Sequence, residues 1–208
     1  MLIGATTMKN PLRYQMTEYD CGPTSLLNAV SFLFEREQIP PELVRSVMLF
    51  CLDCFGADGA AGKCGTSYMA MQFLCSWLEG FGRAGHLPVR ASYLSGRDVH
   101  FSANGRLCDV LRRGGAAVVR LDLEGAHYVL LTGIEGDEVS LFDPYAGGPV
   151  QPGVRVVSDH PAEYNRIVSV RNFEGNSLYA LGPQAGREAV LLFNTETELN
   201  EDAIEYII

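Results

Sequence analysis

The chain has 208 residues, of which 47% are hydrophobic and 20% are charged. This is ordinary globular composition, and the length fits one domain or one domain with a large insertion. With 16 Lys plus Arg against 25 Asp plus Glu, the net charge is −9, and no basic run interrupts it. A phosphate backbone or an anionic membrane would be repelled, so nucleic acid is excluded as an expected partner.

The N-terminus and the cysteines bear on the compartment. The chain begins MLIGATTMKN, which lacks the basic start and apolar run of a secretory signal. No apolar stretch approaches the roughly 18–20 residues that span a bilayer, so no membrane segment is predicted. The six cysteines are therefore expected to be free thiols in a soluble, cytoplasmic protein.

Four helices are predicted in the first half. The first begins at Cys21, because apolar residues recur at helical spacing over 26–34 and Pro23 suits a first turn. A second opens at Pro40-Pro41-Glu42, a third near Thr66 or Ser67, and a short fourth covers 107–112. Residues 53–66 predict a loop, and turn residues dominate 80–104.

After residue 115 the pattern becomes that of strands. Apolar or β-branched runs at 116–121, 127–134 and 138–142 are separated by turn residues, and Gly136-Asp137 predicts a tight hairpin. Further strands are predicted near 166–172 and 188–194, and residues 196–208 are acidic and weakly helical. Helices first and an antiparallel sheet second predict an α+β fold.

Cys21 is the candidate nucleophile. A nucleophilic thiol has to be a thiolate, and a helix N-terminus or a neighbouring imidazolium lowers the pKa of a free cysteine from about 8.5 to about 3.5–7.5. The predicted helix start supplies the first of these features. The competing interpretation is a small buried hydrophobic residue, which is what most free cysteines are.

His127 and Asp143 are the candidate base and the group that orients it. His127 opens an apolar strand, whereas the other three histidines lie in loop-like stretches. In a hairpin turning at 136–137, facing residues have numbers summing to about 273, so Asp143 falls opposite residue 130, near His127. Gln15, six residues before Cys21, is the candidate oxyanion donor together with the Cys21 backbone N–H.

Three segments resemble the motifs of the C39 and C39-like cysteine peptidases. The first is Tyr14-Gln15-Met16 followed by DCGPTSL at 20–26. The second is GAAVV at 115–119 followed by AHYVLLTGI at 126–134. The third is Asp143-Pro144-Tyr145 with Gly147-Gly148. The resemblance covers roughly residues 12–150.

The resemblance implies a papain-like cysteine peptidase fold with a site of Cys21, His127, Asp143 and Gln15. It implies no cofactor, and a peptide or protein substrate cleaved after small residues, often a Gly-Gly pair. The whole chain, 1–208, is then one peptidase domain with a core at 12–150 and a C-terminal extension at 174–208. The chain is longer than a compact C39 domain at 51–66 and 80–104. Many C39 domains accompany membrane segments and a transporter ATPase, which this sequence lacks, so no export system is assigned as a partner.

Several alternatives stay open at this point. The same four residues suit an amidase, a deamidase or an acyl transferase, which differ in the acceptor. An inactive C39-like binding module is a further alternative, against which the intact set argues. A zinc site at Cys51 and Cys54 is disfavoured because no second pair completes it, so no metal is predicted. Residues 56–64 lack the residues that a phosphate loop requires.

Overall fold

The computed structural model describes residues 8–122, 125–147, 151–175 and 177–199. Gly148 of the third motif and residues 200–208 of the acidic end lie outside the described residues, as do residues 1–7. Within the described ranges, no helix is long and apolar enough to cross a bilayer.

Five α-helices and seven strands make up the fold of the described residues. The helices are α1 (Cys21–Leu33), α2 (Pro41–Cys51), α3 (Tyr68–Arg83), α4 (Arg106–Arg112) and α5 (Val170–Glu174). The strands are β1 (Val89–Ser95), β2 (Ala116–Asp122), β3 (Ala126–Glu135), β4 (Glu138–Phe142), β5 (Val154–Val156), β6 (Arg166–Ser169) and β7 (Glu188–Asn194).

The strands form one antiparallel sheet in the order β1-β7-β2-β3-β4-β6-β5. The α+β prediction is confirmed in this form. β7, from the C-terminal extension, lies between β1 and β2. β1 lies within residues 80–104, and it pairs with β7 along its whole length.

The sheet separates two apolar cores. On one face, residues of α1, α2 and α3 pack with alternate strand residues such as Tyr128 and Leu130. On the other face, α4 and α5 pack with the intervening residues, including Val129 and Leu131. The continuous apolar run of β3 follows from this arrangement, because a strand covered on both faces has no solvent-facing positions.

Four details of the predicted elements are wrong. A strand, β1, occupies 89–95, where no strand is predicted. The alternation of apolar and polar side chains in it is short and is flanked by turn residues. Residues 166–172 are a strand only as far as Ser169, after which α5 begins. The predicted β3–β4 register holds next to the turn, but a bulge between Leu131 and Gly133 shifts it, so Leu130 faces Phe142. Residues 196–199 form no helix.

A side-chain bond joins α1 to β3 close to the candidate nucleophile and base. The Ser25 hydroxyl donates to the Tyr128 carbonyl oxygen at 2.9 Å, and both residues are buried. Ser25 lies one turn after Cys21, and Tyr128 follows His127 directly. This bond therefore sets the position of the start of α1 relative to the start of β3.

Candidate active site

Cys21 is the first residue of α1, and its side chain is 7% exposed. The turn in front of it is held by Asp20, whose carboxylate accepts the backbone N–H groups of Met16 at 2.9 Å and Thr17 at 2.6 Å. Asp20 makes no side-chain cap bond to the helix backbone. Its carboxylate also accepts the Thr24 hydroxyl of α1 at 3.4 Å. The predicted helix start at Cys21 is confirmed.

Gly22 lies where the loop before α3 presses on the start of α1. A Cβ at this position would come within 2.3 Å of the Thr66 Oγ1 atom, far inside normal contact distance. Thr66 also lies 3.7 Å from the sulfur of Cys51 at the end of α2. A glycine after Cys21 thus lets the 52–67 loop lie directly against the nucleophile's helix, a contact that the sequence does not reveal.

His127 and Asp143 form a buried pair beside Cys21. The Nε2 atom of His127 lies 2.8 Å from the Asp143 Oδ1 atom, and the two residues are 7% and 0% exposed. Cys21 lies near enough to the same imidazole ring to contribute to raising its pKa. Because Asp143 takes Nε2, Nδ1 is the ring nitrogen left for Cys21. The structure therefore brings these three predicted residues together in one place.

The surroundings of the pair favour a charged imidazole. Burial alone would lower the pKa of His127, but hydrogen bonds to Asp143 and Cys21 and the charges of both outweigh it, raising the pKa from 6.5 to about 9. Burial would likewise raise the pKa of Asp143, yet the hydrogen bond and charge of His127 hold it below its usual range. The arrangement thus stabilises an imidazolium and a carboxylate.

Asp143 has further partners that the sequence analysis missed. Asn165 binds its backbone on both sides: the Asp143 N–H donates to Asn165 Oδ1 at 2.8 Å, and Asn165 Nδ2 donates to the Asp143 carbonyl at 2.8 Å. The Tyr145 N–H donates to Oδ1 at 2.9 Å, and the Tyr179 hydroxyl donates to Oδ2 at 2.9 Å. Asn165 and Tyr179 lie in stretches without a recognisable motif, so no local signal marks them.

Gln15 lies next to the same segment through its backbone. Its N–H donates to the Pro144 carbonyl at 2.9 Å, which joins the chain before Cys21 to the residue after Asp143. Its side-chain Nε2 donates to the Thr17 carbonyl at 2.7 Å. The Gln15 Oε1 atom is buried and has no hydrogen-bond partner. One of the two amide hydrogens is thus used within the loop, and the role of the other as an oxyanion donor stays a prediction.

Comparison with known proteins gives a structural likeness and no sequence match. No protein-family model matches the chain, and no curated protein does. Among solved structures, the chain is similar to a double glycine motif protease from an AMS/PCAT transporter, solved in complex with the leader peptide. The sequence identity is 13%, the TM-score is 0.43, and the alignment covers 91% of this chain and 94% of that chain.

Proposed function

We propose that this protein is a papain-like cysteine peptidase of the C39-like type, with Cys21 as nucleophile, His127 as base and Asp143 as the group that orients His127. The observation that carries the proposal is the buried His127–Asp143 pair, 2.8 Å apart, beside a cysteine at the first position of a 13-residue helix. A thiol, an imidazole and a carboxylate in this order are the parts of an activated nucleophile.

In the proposed first step, the Cys21 thiolate attacks the carbonyl carbon of the scissile peptide bond. The negative charge moves to the carbonyl oxygen, where the Cys21 backbone N–H and the free Gln15 amide hydrogen stabilise it. The His127 imidazolium then donates its Nδ1 proton to the leaving amine as the C–N bond breaks. The products are a thioester on Cys21 and a free amine.

In the second step, neutral His127 takes a proton from water, which attacks the thioester carbonyl. The C–S bond then breaks, so that the acid product leaves and Cys21 is a thiolate again. The proton taken from water stays on His127, which restores the thiolate–imidazolium pair. Asp143 keeps one tautomer and one ring orientation through both steps, because its Oδ1 atom holds Nε2. Burial of the pair strengthens this interaction by keeping water away.

The proposed substrate is an unstructured peptide with a Gly-Gly pair before the scissile bond. Tyr14 and Tyr19 flank Gln15 and Cys21 and are 49% and 39% exposed, which makes them candidate walls of a narrow cleft. Such a cleft rejects a Cβ next to the reacting carbonyl. Because the net charge is −9, basic or neutral peptides are expected to be accepted better than acidic ones.

A peptide-library cleavage screen read by mass spectrometry tests the proposal. The expected result is cleavage after Gly-Gly that slows strongly when either glycine is replaced by leucine. Cys21→Ala should abolish cleavage with the fold intact, whereas Cys108→Ala, which removes a buried thiol from the opposite core, should leave it unchanged. Cleavage that persists in Cys21→Ala would contradict the mechanism, and indifference to leucine would reject only the narrow cleft.

A further inference from the structure

Tyr179 reaches the candidate site from the C-terminal part of the chain, between α5 and β7. Its side chain is 2% exposed, and its hydroxyl donates to Asp143 Oδ2 at 2.9 Å. The other carboxylate oxygen, Oδ1, receives His127 Nε2 and the Tyr145 N–H. Tyr179 is thus the side chain bound to the oxygen that His127 does not use.

The backbone that carries the Tyr179 side chain is held by three hydrogen bonds. The Tyr179 N–H donates to the Ser177 hydroxyl at 3.2 Å, and the carbonyl of the next residue, Ala180, accepts the Asp122 N–H of β2 at 2.9 Å. The following N–H, of Leu181, donates to the Phe173 carbonyl of α5 at 2.9 Å. Because this backbone is fixed and the ring is buried, the Tyr179 hydroxyl has little freedom to follow a moving carboxylate.

The two neighbours of Asp143 act on different parts of it. Asn165 fixes its backbone through the N–H and the carbonyl, which leaves the side-chain torsion free. Tyr179 binds the carboxylate and therefore acts on that torsion. We propose that Tyr179 is a positioning residue, which fixes the rotation of the Asp143 carboxylate and through it the orientation of His127 toward Cys21. This inference rests on the proposed function.

Among the described residues, the charged and titratable groups that act on His127, Asp143 and Tyr179 come from α1, β4 and β6. Cys21 faces His127 from α1, and Asp143 faces it from the end of β4. Arg166 of β6 lies near Tyr179, and its charge acts to lower the pKa of that phenol. Burial and the Asp143 charge raise the pKa of Tyr179, so it stays protonated and acts as a donor at neutral pH. In Tyr179→Phe, the Oδ2 atom of Asp143 loses this hydrogen-bond donor while it stays buried. We expect the Asp143 carboxylate to rotate toward another donor, which moves its Oδ1 atom away from His127.

The test compares two matched tyrosine variants. Tyr179→Phe removes the hydroxyl beside Asp143 and keeps the ring in the core. Tyr93→Phe also removes a tyrosine–carboxylate bond, that to Glu188 Oε2 at 2.7 Å, but this carboxylate is not the one that binds His127. The readouts are the pKa of His127, from NMR of ¹⁵N-histidine protein, and the rate at which iodoacetamide alkylates Cys21 near pH 6.5. Neither readout requires the natural substrate.

Tyr179→Phe should lower the pKa of His127 by about one unit. It should also slow Cys21 alkylation about tenfold, because a rotated imidazolium no longer stabilises the Cys21 thiolate. Tyr93→Phe should change neither, and 3-fluorotyrosine at position 179, which keeps the donor, should retain the wild-type rate even if Tyr179→Phe folds poorly. An unchanged or raised pKa of His127 in Tyr179→Phe would overturn the inference. His127→Ala separates the two claims: if it leaves Cys21 alkylation unchanged, the proposed function itself fails.

Discussion

The candidate site has two sides that are held in different ways. The nucleophile wall is Cys21 with the loop before it, and the base wall is His127 with Asp143. On the nucleophile wall, the turn before Cys21 is shaped by local contacts: Asp20 binds Met16 and Thr17, four and three residues away. On the base wall, Asp143 is held by Asn165 and Tyr179, 22 and 36 residues away. The turn that presents the nucleophile is therefore shaped by a short segment, whereas the position of Asp143 depends on the folding of the C-terminal part.

The largest effect is expected from replacing Asp143, the carboxylate of the base wall. Asp143→Asn keeps the shape of the side chain but presents an amide in place of the carboxylate. It removes the charge that holds the pKa of His127 up, so turnover of a Gly-Gly peptide should fall by about 10²–10⁴-fold. Steady-state kinetics measure this, and retention of wild-type turnover would show that His127 needs no partner.

Gln15 tests the nucleophile wall. If its free amide hydrogen stabilises the oxyanion, Gln15→Ala should lower kcat by about 10²–10³-fold with little loss of stability. Gln38→Ala is a suitable control for turnover, because this glutamine lies in the exposed turn at 36–38 and, within the described part of the chain, its side chain accepts only the Glu35 N–H. Unchanged turnover with a lower thermal midpoint would instead make Gln15 a structural residue of the loop.

The pH dependence distinguishes the charge states of the two walls. Since the pKa of His127 is raised to about 9, its imidazolium form persists through neutral pH and is lost as the pH rises through about 9. The pKa of Asp143 is held below its usual range, so this carboxylate contributes no change between about pH 5 and 8. The rate profile kcat/KM against pH should therefore fall on its alkaline side near 9. A fall already centred near 6.5 would contradict the ion pair.

Gly22→Ala gives the smallest expected effect and probes the contact behind Cys21. The new Cβ would meet Thr66 Oγ1 at 2.3 Å, so Thr66 has to move, at a cost of about 1–3 kcal/mol in unfolding free energy. The double variant with Thr66→Gly should recover part of that loss. Denaturant unfolding measures both, and an unaltered midpoint in Gly22→Ala would show that the 52–67 loop yields freely.

The difference between the walls also explains what the sequence could predict. Cys21 opens a helix whose apolar spacing and proline are visible in a dozen residues, and His127 and Asp143 lie at the ends of two strands joined by a recognisable turn. Asn165 and Tyr179 act across the fold, and the polarity of one residue does not reveal a partner 22 or 36 positions away. The β-bulge after Leu131 escaped for the same reason, since register depends on packing as well as on the turn.

The central claim is that His127 activates Cys21, and competitive alkylation of the six cysteines tests it most directly. Burial raises the pKa of both Cys51 and Cys75 to about 12, and Cys64 is exposed, which makes it an internal standard. With iodoacetamide near pH 6.5 and mass spectrometry of each peptide, Cys21 should be modified first, although it is buried. His127→Ala should slow Cys21 and leave Cys64 unchanged. Labelling of Cys64 ahead of Cys21, with no effect of His127→Ala, would contradict the account.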